Sequence, residues 1–73
     1  MMPLAITADK ALIWDRQRSK MVTKIRVTVS LVGNQGSIYR ETGPLYAETA
    51  AEVFEAVELL RTRLIKSLFS GVD

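Results

Sequence analysis

The chain has 73 residues, a formal net charge of +2 and a hydrophobic content of 48%. This length permits one domain at most, with a thin core and a net stability on the order of a few kcal/mol. The sequence contains no cysteine and no histidine, which excludes disulfides, thiolate metal sites and the commonest general base. The carboxylates do not cluster at metal-ligand spacing. We therefore expect no metal, no cofactor and no enzymatic activity.

Positive charge is concentrated in the first part of the chain. Residues 1–40 carry seven basic and two acidic side chains, a net +5, whereas residues 41–73 carry three basic and six acidic ones, a net −3. A nonspecific nucleic-acid binder is usually basic more uniformly. The N-terminus lacks the basic start of a signal peptide, and no apolar run approaches the roughly 18–20 residues of a membrane span. We therefore expect a soluble, cytoplasmic protein.

The first 20 residues are open to several interpretations. Thr7 could cap a short helix over ADKALIWDRQ, with its apolar side chains partly buried. The same residues could also form a small hairpin or a loose arm that becomes ordered on a partner. The run RQRSK, at 16–20, is typical of a polar linker. We expect an N-terminal arm or short helix with a basic linker, followed by a domain over residues 21–73.

The clearest strand lies in residues 21–32, where apolar and polar residues alternate and β-branched residues dominate. Its apolar face contains Ile25, Val27, Val29 and Leu31. Its polar face contains Lys24, Arg26, Thr28 and Ser30. We expect this polar face to be open to solvent.

A hairpin turn follows the strand, because the run GNQG has glycines at both ends that are free to adopt positive φ. SIYRET is the returning strand and should end before Gly43. Pro44 cannot donate a ladder hydrogen bond, so residues 45–47 are expected to form at most a short edge strand.

The longest element is a C-terminal helix. Thr49 and Glu52 fit the capping-box pattern, which predicts a helix from about residue 50 to about residue 69. Its apolar stripe contains Val53, Val57, Leu60, Leu64 and Leu68. Gly71 is placed to end the helix. The sequence therefore predicts an α+β fold, in which an antiparallel β-hairpin, with a third strand left open, packs on one long helix.

The candidate partner-binding residues are Trp14, Arg16, Arg18, Lys20, Lys24 and Arg26. The basic side chains could contact phosphates or an acidic protein surface, or could simply keep an exposed strand soluble and discourage edge pairing. The concentration of charge in RQRSK favours a binding role there. Trp14 could anchor a partner, although the single tryptophan of a small domain is expected more often in the core or at its edge.

The predicted order of a short helix, strands and a long helix resembles the double-stranded RNA-binding domain. That family grips phosphates with a basic cluster at the start of its last helix. Here the corresponding start, ETAAEVFEAVE, is acidic. The resemblance therefore covers topology only and does not imply RNA binding.

The whole chain, from MMPLAITADKALIWDRQRSK to LIKSLFSGVD, resembles the small phage-encoded regulators of host bacterial RNA polymerase, of the Xanthomonas phage type. The resemblance lies in length, in the hairpin-plus-helix pattern and in the unequal charge. It implies a non-enzymatic inhibitor in the host cell cytoplasm that binds the β′ and β subunits, displaces the σ factor and can promote antitermination. It assigns no site residues, because no motif can be aligned.

Two other functions remain as alternatives. A small nucleic-acid-binding module would use the basic sheet face, and direct nucleic-acid contact is compatible with the first function as well. A self-associating protein would use leftover apolar surface at Phe54 or Phe69 to form a homodimer. We expect a monomer that binds a protein and no membrane.

Overall fold

The computed structural model describes residues 3–69, in which a three-stranded antiparallel sheet packs against one helix. The elements are β1 (Leu4–Asp15), β2 (Lys20–Val32), a short 3₁₀ turn (Asn34–Gly36), β3 (Ile38–Ala47) and α1 (Ala50–Phe69). The sheet order is β1-β2-β3. The α+β fold is as the sequence predicts, and the third strand is present. No helix in this part of the chain is long and apolar enough to cross a membrane.

The core lies between β2 and α1. Its buried members are Val27, Val29, Leu31, Ala56, Leu60 and Leu64, with Ile25, Leu45, Val53, Val57 and Leu68 packed around them. The alternation along β2 places its apolar side chains on one side, and the three-to-four-residue spacing along α1 supplies the matching stripe. The predicted packing of these two faces is confirmed.

Helix α1 begins at the predicted capping box. The Glu52 amide donates to Thr49 Oγ1 at 3.2 Å, and the Val53 amide donates to the Thr49 carbonyl at 3.0 Å. The Glu52 carboxylate reaches back, but it accepts from the amide of Glu48, at 3.0 Å. These bonds satisfy amides that the first helical turn leaves without partners. The predicted helix terminator, Gly71, lies outside the described residues.

Residues 4–15 form strand β1, which corrects the expectation of an N-terminal arm or short helix. The strand pairs with β2 along its whole length, from Leu4 opposite Leu31 to Asp15 opposite Lys20. Thr7 caps no helix, and its Oγ1 instead donates to a β2 carbonyl at 3.4 Å. The strand satisfies backbone groups on two segments at once, whereas a short helix would be marginal in water.

The segment expected to be a linker is the turn at the tip of the β1–β2 hairpin. Asp15 Oδ1 accepts hydrogen bonds from the amides of Gln17, at 2.9 Å, and Arg18, at 3.2 Å. Ser19 completes the turn with a φ of 53°. An aspartate that binds the amides after it is a common way to stabilise such a turn. The tip is therefore an ordered part of the hairpin.

Strand β3 continues through Gly43 and Pro44, where the sequence predicts its end. Its pairing with β2 shifts register between Val27 and Val29, which produces a bulge at Gly43 and Pro44. Gly43 has a φ of +115°, and a Cβ atom there would lie 3.0 Å from the Val27 carbonyl oxygen. Pro44 is tolerated because β3 is at the edge of the sheet. The predicted hairpin turn before β3 is present, but positive φ occurs at Gln35 and Gly36, whereas Gly33 has a φ of −85°.

The helix is shorter than the sheet that it covers. An α-helix of 20 residues is about 30 Å long, whereas a strand of 13 residues extends about 43 Å. Helix α1 starts beside Ile25. Near its other end, the Ser67 carbonyl accepts a hydrogen bond from Arg40 Nη1 at 2.9 Å. The β1–β2 hairpin therefore extends past the start of α1.

Candidate functional site

One side of β1 is left uncovered, because α1 packs on β2 and β3. Every second residue of β1 lies on the same side of the sheet as the helix. These residues are Leu4, Ile6, Ala8, Lys10, Leu12 and Trp14, which we call the β1 row. The exposed fractions of its four large apolar side chains range from 40% for Leu4 to 67% for Leu12. The row is therefore a line of largely apolar surface that Lys10 interrupts.

The row ends at the hairpin tip, beyond the start of the helix. Trp14 is 55% exposed and lies directly opposite Met21, which is 52% exposed. Leu12 lies on the same side two residues earlier, and these three side chains form what we call the tip patch. The expectation that Trp14 lies in the core or at its edge is wrong, because α1 does not reach this part of the hairpin.

The cations of the tip differ in their ion pairs. Arg18 Nε lies 3.6 Å from Asp15 Oδ2. Within residues 3–69, no carboxylate lies within ion-pair distance of Arg16 or Lys20. The uncompensated part of the predicted basic stretch is therefore next to the tip patch.

The two remaining candidates, Lys24 and Arg26, have acidic partners on the open face of the sheet. Lys24 Nζ lies 3.5 Å from Glu48 Oε1. Arg26 binds the Asp9 carboxylate through two nitrogens, with Nε 3.2 Å from Oδ1. The hydrogen bond from Arg26, together with its charge, lowers the pKa of Asp9, and the same contacts raise the pKa of Arg26. These two cations therefore have partners within the fold.

The open face as a whole is mixed in charge. Ser30, which the sequence places on an open surface, is only 6% exposed, and its Oγ donates to Glu41 Oε2 at 3.4 Å. The charged residues of this face are Lys20, Lys24 and Arg26 with Asp9, Asp15, Glu41 and Glu48. Phosphate binding depends on cations that are available to the nucleic acid. The face therefore gives little support to the nucleic-acid alternative.

A groove of about 500 Å³ lies beside the middle of the β1 row. It is lined by Ala8, Asp9, Lys10, Ile25, Ala50, Val53 and Phe54. Phe54, at the start of α1, is 74% exposed. Lys10 is the one charged member of the β1 row, and no carboxylate of the described chain pairs with it. The groove thus has mostly apolar walls and an available cation.

The structure brings together residues that the sequence analysis does not single out, namely Lys10, Leu12 and Met21. The signal for Leu12 is the spacing of apolar residues at every second position of β1. Lys10 interrupts this spacing, and Ala11 and Ile13 obscure it with apolar residues on the other side. Met21 could be recognised only from the register that places it opposite Trp14.

No protein-family model matches this sequence, and neither a curated protein nor a solved structure matches it. In the part of the chain that the structure describes, no group of three or more histidine, cysteine or acidic side chains could hold a metal ion. The tip patch is apolar, and the unpaired cations Arg16 and Lys20 lie at the same end of the hairpin.

Proposed function

We propose that this chain is a non-enzymatic regulator that binds host bacterial RNA polymerase through the tip of its β1–β2 hairpin. The resemblance of the sequence to small phage-encoded regulators indicates the partner, the β′ and β subunits. The bound protein inhibits initiation by displacing the σ factor and can promote antitermination. It acts in the host cell cytoplasm and requires no cofactor.

The observation that carries this proposal is the tip patch. Several large apolar side chains of the described residues are exposed, and three of them, Leu12, Trp14 and Met21, lie close together at the hairpin tip, outside the core. Tryptophan, methionine and arginine are enriched at protein interfaces, and tryptophan and arginine dominate the binding energy there. Arg16 lies in the turn directly after the patch. This combination favours a protein partner over a purely electrostatic contact.

The charge of the tip supports an acidic partner surface. Arg16 and Lys20 attract such a surface over distances of about a Debye length, roughly 8–10 Å at physiological salt. The same two cations are available to a phosphate where nucleic acid lies next to the bound polymerase. Direct nucleic-acid contact is a secondary contribution on this proposal.

The test is retention of purified polymerase by the immobilised protein, with and without truncation of the tip patch. The double variant Trp14→Ala, Met21→Ala should reduce affinity at least about thirtyfold, because a hot-spot truncation costs roughly 2 kcal/mol or more. A matched control, Ile38→Ala with Tyr39→Ala, removes two exposed apolar side chains from β3 and should leave affinity unchanged. Failure of the wild-type protein to retain polymerase at low salt would remove the proposal.

A second pair of variants tests the role of charge at the tip. Arg16→Glu with Lys20→Glu reverses the two unpaired cations and should slow association strongly. Arg63→Glu with Lys66→Glu makes the same change in net charge on exposed positions of α1. Equal losses in both variants would show a general attraction rather than recognition by the tip.

A further inference from the structure

A cleft runs along the helix side of β1, between the β1 row and the neighbouring flank of α1. The groove at its middle shows the arrangement, because Ala8 and Lys10 lie on its floor and Phe54 lies on its side wall. Ile65 follows Phe54 by close to three helical turns, so it lies on the same flank of α1. Both side chains are exposed. The cleft therefore has apolar side chains on its floor and on its side wall.

The apolar side chains of the β1 row project from the face of the sheet, roughly perpendicular to its plane. A strand added at the edge of β1 would lie within that plane, about 4.8 Å outward, and would leave this face uncovered. Lys10 points to the same side as the row, and an inward charge on an edge strand is a common protection against strand pairing. Burial of the row therefore requires an element that lies on the face of the sheet.

The cleft has the dimensions of a site for a helix. Two packed helices have axes about 8–10 Å apart, which is about two strand spacings. Because α1 packs on β2 and β3, a helix beside it in the same layer would lie over β1 and its outer edge. The β1 row, from Leu4 to Trp14, extends about 34 Å, the length of roughly 20–23 helical residues. One apolar stripe of such a helix would contact both the β1 row and the flank of α1.

The charges around the cleft select the kind of helix. Lys10 lies at its middle, and no carboxylate of the described chain pairs with it. Arg61, on the same flank of α1 as Phe54, binds Glu58 at 2.8 Å. Asp9 lines the groove, but its carboxylate bonds to Arg26 on the open face of the sheet. The middle of the cleft therefore presents one uncompensated positive charge among apolar side chains.

We infer that this cleft binds an amphipathic helix of a partner protein, with one acidic residue in the middle of its apolar stripe. The apolar side chains pack against the β1 row and Phe54, and the acidic side chain meets Lys10. The cleft leads into the tip patch, because Leu12 and Trp14 belong to both, so one partner surface contacts the two. This inference deepens the proposed function and rests on it, since the helix then belongs to the polymerase.

Charge distinguishes this occupant from a second copy of the chain. Lys10 lies close to the centre of the β1 row. Two copies packed row against row about a two-fold axis would bring their Lys10 side chains together, and like charges placed together oppose association. An acidic helix gains from the charge that a second copy would have to overcome.

The test uses peptides that do not depend on the polymerase. An eighteen-residue capped peptide of alanine and glutamine carries leucines at helical spacing and one glutamate in the middle of the leucine stripe. It is titrated into the ¹⁵N-labelled protein and followed by NMR. We expect shift changes centred on the β1 row and the facing flank of α1, with helical NOEs in the bound peptide. A peptide with lysine in place of the glutamate should bind at least about tenfold more weakly, because it places a like charge beside Lys10.

A pair of double variants locates the contact. Ile6→Ala with Phe54→Ala removes one exposed apolar side chain from each side of the cleft and should weaken the glutamate peptide at least about tenfold. Ile38→Ala with Leu59→Ala is the matched control, because it removes exposed side chains from β3 and from the other flank of α1. The control should leave binding unchanged. All four side chains are at least 47% exposed, so both variants should fold.

Charge reversal tests the selectivity separately. Lys10→Glu should weaken the glutamate peptide about tenfold and strengthen the lysine peptide, because it exchanges attraction and repulsion at the middle of the cleft. Lys66→Glu makes the same change in net charge on α1, away from the cleft. It should change the binding of neither peptide.

Four outcomes would overturn the inference. These are no shift change at the cleft up to millimolar glutamate peptide, equal binding of the glutamate and lysine peptides, a bound peptide that is extended along the edge of β1, and light scattering that shows a dimer whose contacts involve the β1 row. Polymerase retention is scored separately. Peptide binding in the cleft without retention removes the proposed function alone, and retention without peptide binding in the cleft removes this inference alone.

Discussion

Strands β1 and β3 flank the same central strand, yet α1 packs against β3 and leaves the residues on the helix side of β1 exposed. On β3, Ala47 is buried, Leu45 packs against the core, and Arg40 bonds to the end of α1. On β1, no residue is fully buried. The fold is therefore stabilised mainly by β2, β3 and α1, whereas β1 is attached through its backbone ladder and a few side-chain bonds to β2.

This difference indicates that stability and binding depend on different residues. The single helix packs on β2 and β3, so the helix side of β1 stays uncovered. The uncovered strand then becomes the place where apolar side chains are available to a partner. Four predictions test this separation, from the largest expected effect to the smallest.

The strongest contrast is between two leucines. Leu60, at 0% exposed, lies in the core, whereas Leu12 lies in the β1 row. Leu60→Ala should lower the free energy of unfolding by about 2–5 kcal/mol, because it leaves a cavity in the core. This loss is enough to unfold much of so small a domain. Leu12→Ala should lower the free energy of unfolding by less than about 1 kcal/mol. Urea unfolding followed by circular dichroism measures both, and similar losses would contradict the separation.

The bulge of β3 is tested by a pair of glycines that both have positive φ. Gly43→Ala should lower the free energy of unfolding by about 1–3 kcal/mol or more. An alanine is strained at this positive φ, and its Cβ would lie only 3.0 Å from the Val27 carbonyl oxygen. At Gly36 no atom lies within 4 Å of the added Cβ, so the cost should be only about 1 kcal/mol, from backbone conformation. Thermal unfolding distinguishes them. A Gly43→Ala protein as stable as Gly36→Ala would show that the bulge relaxes without cost.

The exposure of Trp14 can be measured directly, because it is the single tryptophan of the chain. Its fluorescence should resemble that of free tryptophan in water and be quenched readily by iodide. Trp14→Ala should change the free energy of unfolding by under about 1 kcal/mol, as expected for a surface position. A blue-shifted, unquenched emission would mean that another part of the chain, or a second copy, covers the tip patch.

The smallest effect concerns the side-chain bridge between β1 and β2. Arg26 lowers the pKa of Asp9 below its usual value of 3.8. The stabilisation from this pair is therefore present above the unfolded pKa and is lost as the pH falls through the lowered folded pKa. A carboxyl NMR titration of Asp9 should give a midpoint below 3.8, which returns toward 3.8 in Arg26→Gln. An unchanged midpoint in that variant would exclude the bridge in solution.

The parts of the fold that can be predicted from the sequence are those in which the apolar residues follow one regular spacing. The alternation in β2 and the stripe of α1 both face the core, so burial imposes a clear pattern on them. The capping box and the glycine-containing turn depend on local chemistry and were also visible. Strand β1 was not, because neither of its sides is fully buried and apolar residues occur on both.

The candidate site was predictable only in part. The concentration of charge near residues 16–20 was visible in the sequence, but which cations remain unpaired depends on register. Arg26 lies opposite Asp9, and Lys24 meets Glu48. These partners are distant in sequence, so the alternation in β2 places both cations on an open face without showing that they are paired. The exposure of Trp14 likewise depends on where α1 begins relative to the hairpin, which no local pattern specifies.

The turn held by Asp15 has a consequence for the rate of binding. Its carboxylate already bonds to the amides of Gln17 and Arg18, so the tip needs no folding step when it meets a partner. Association should then follow simple two-state kinetics, with a rate constant of roughly 10⁵–10⁷ M⁻¹s⁻¹ raised further by charge at low salt. Differences among tip-patch variants should therefore appear mainly in how long the complex lasts.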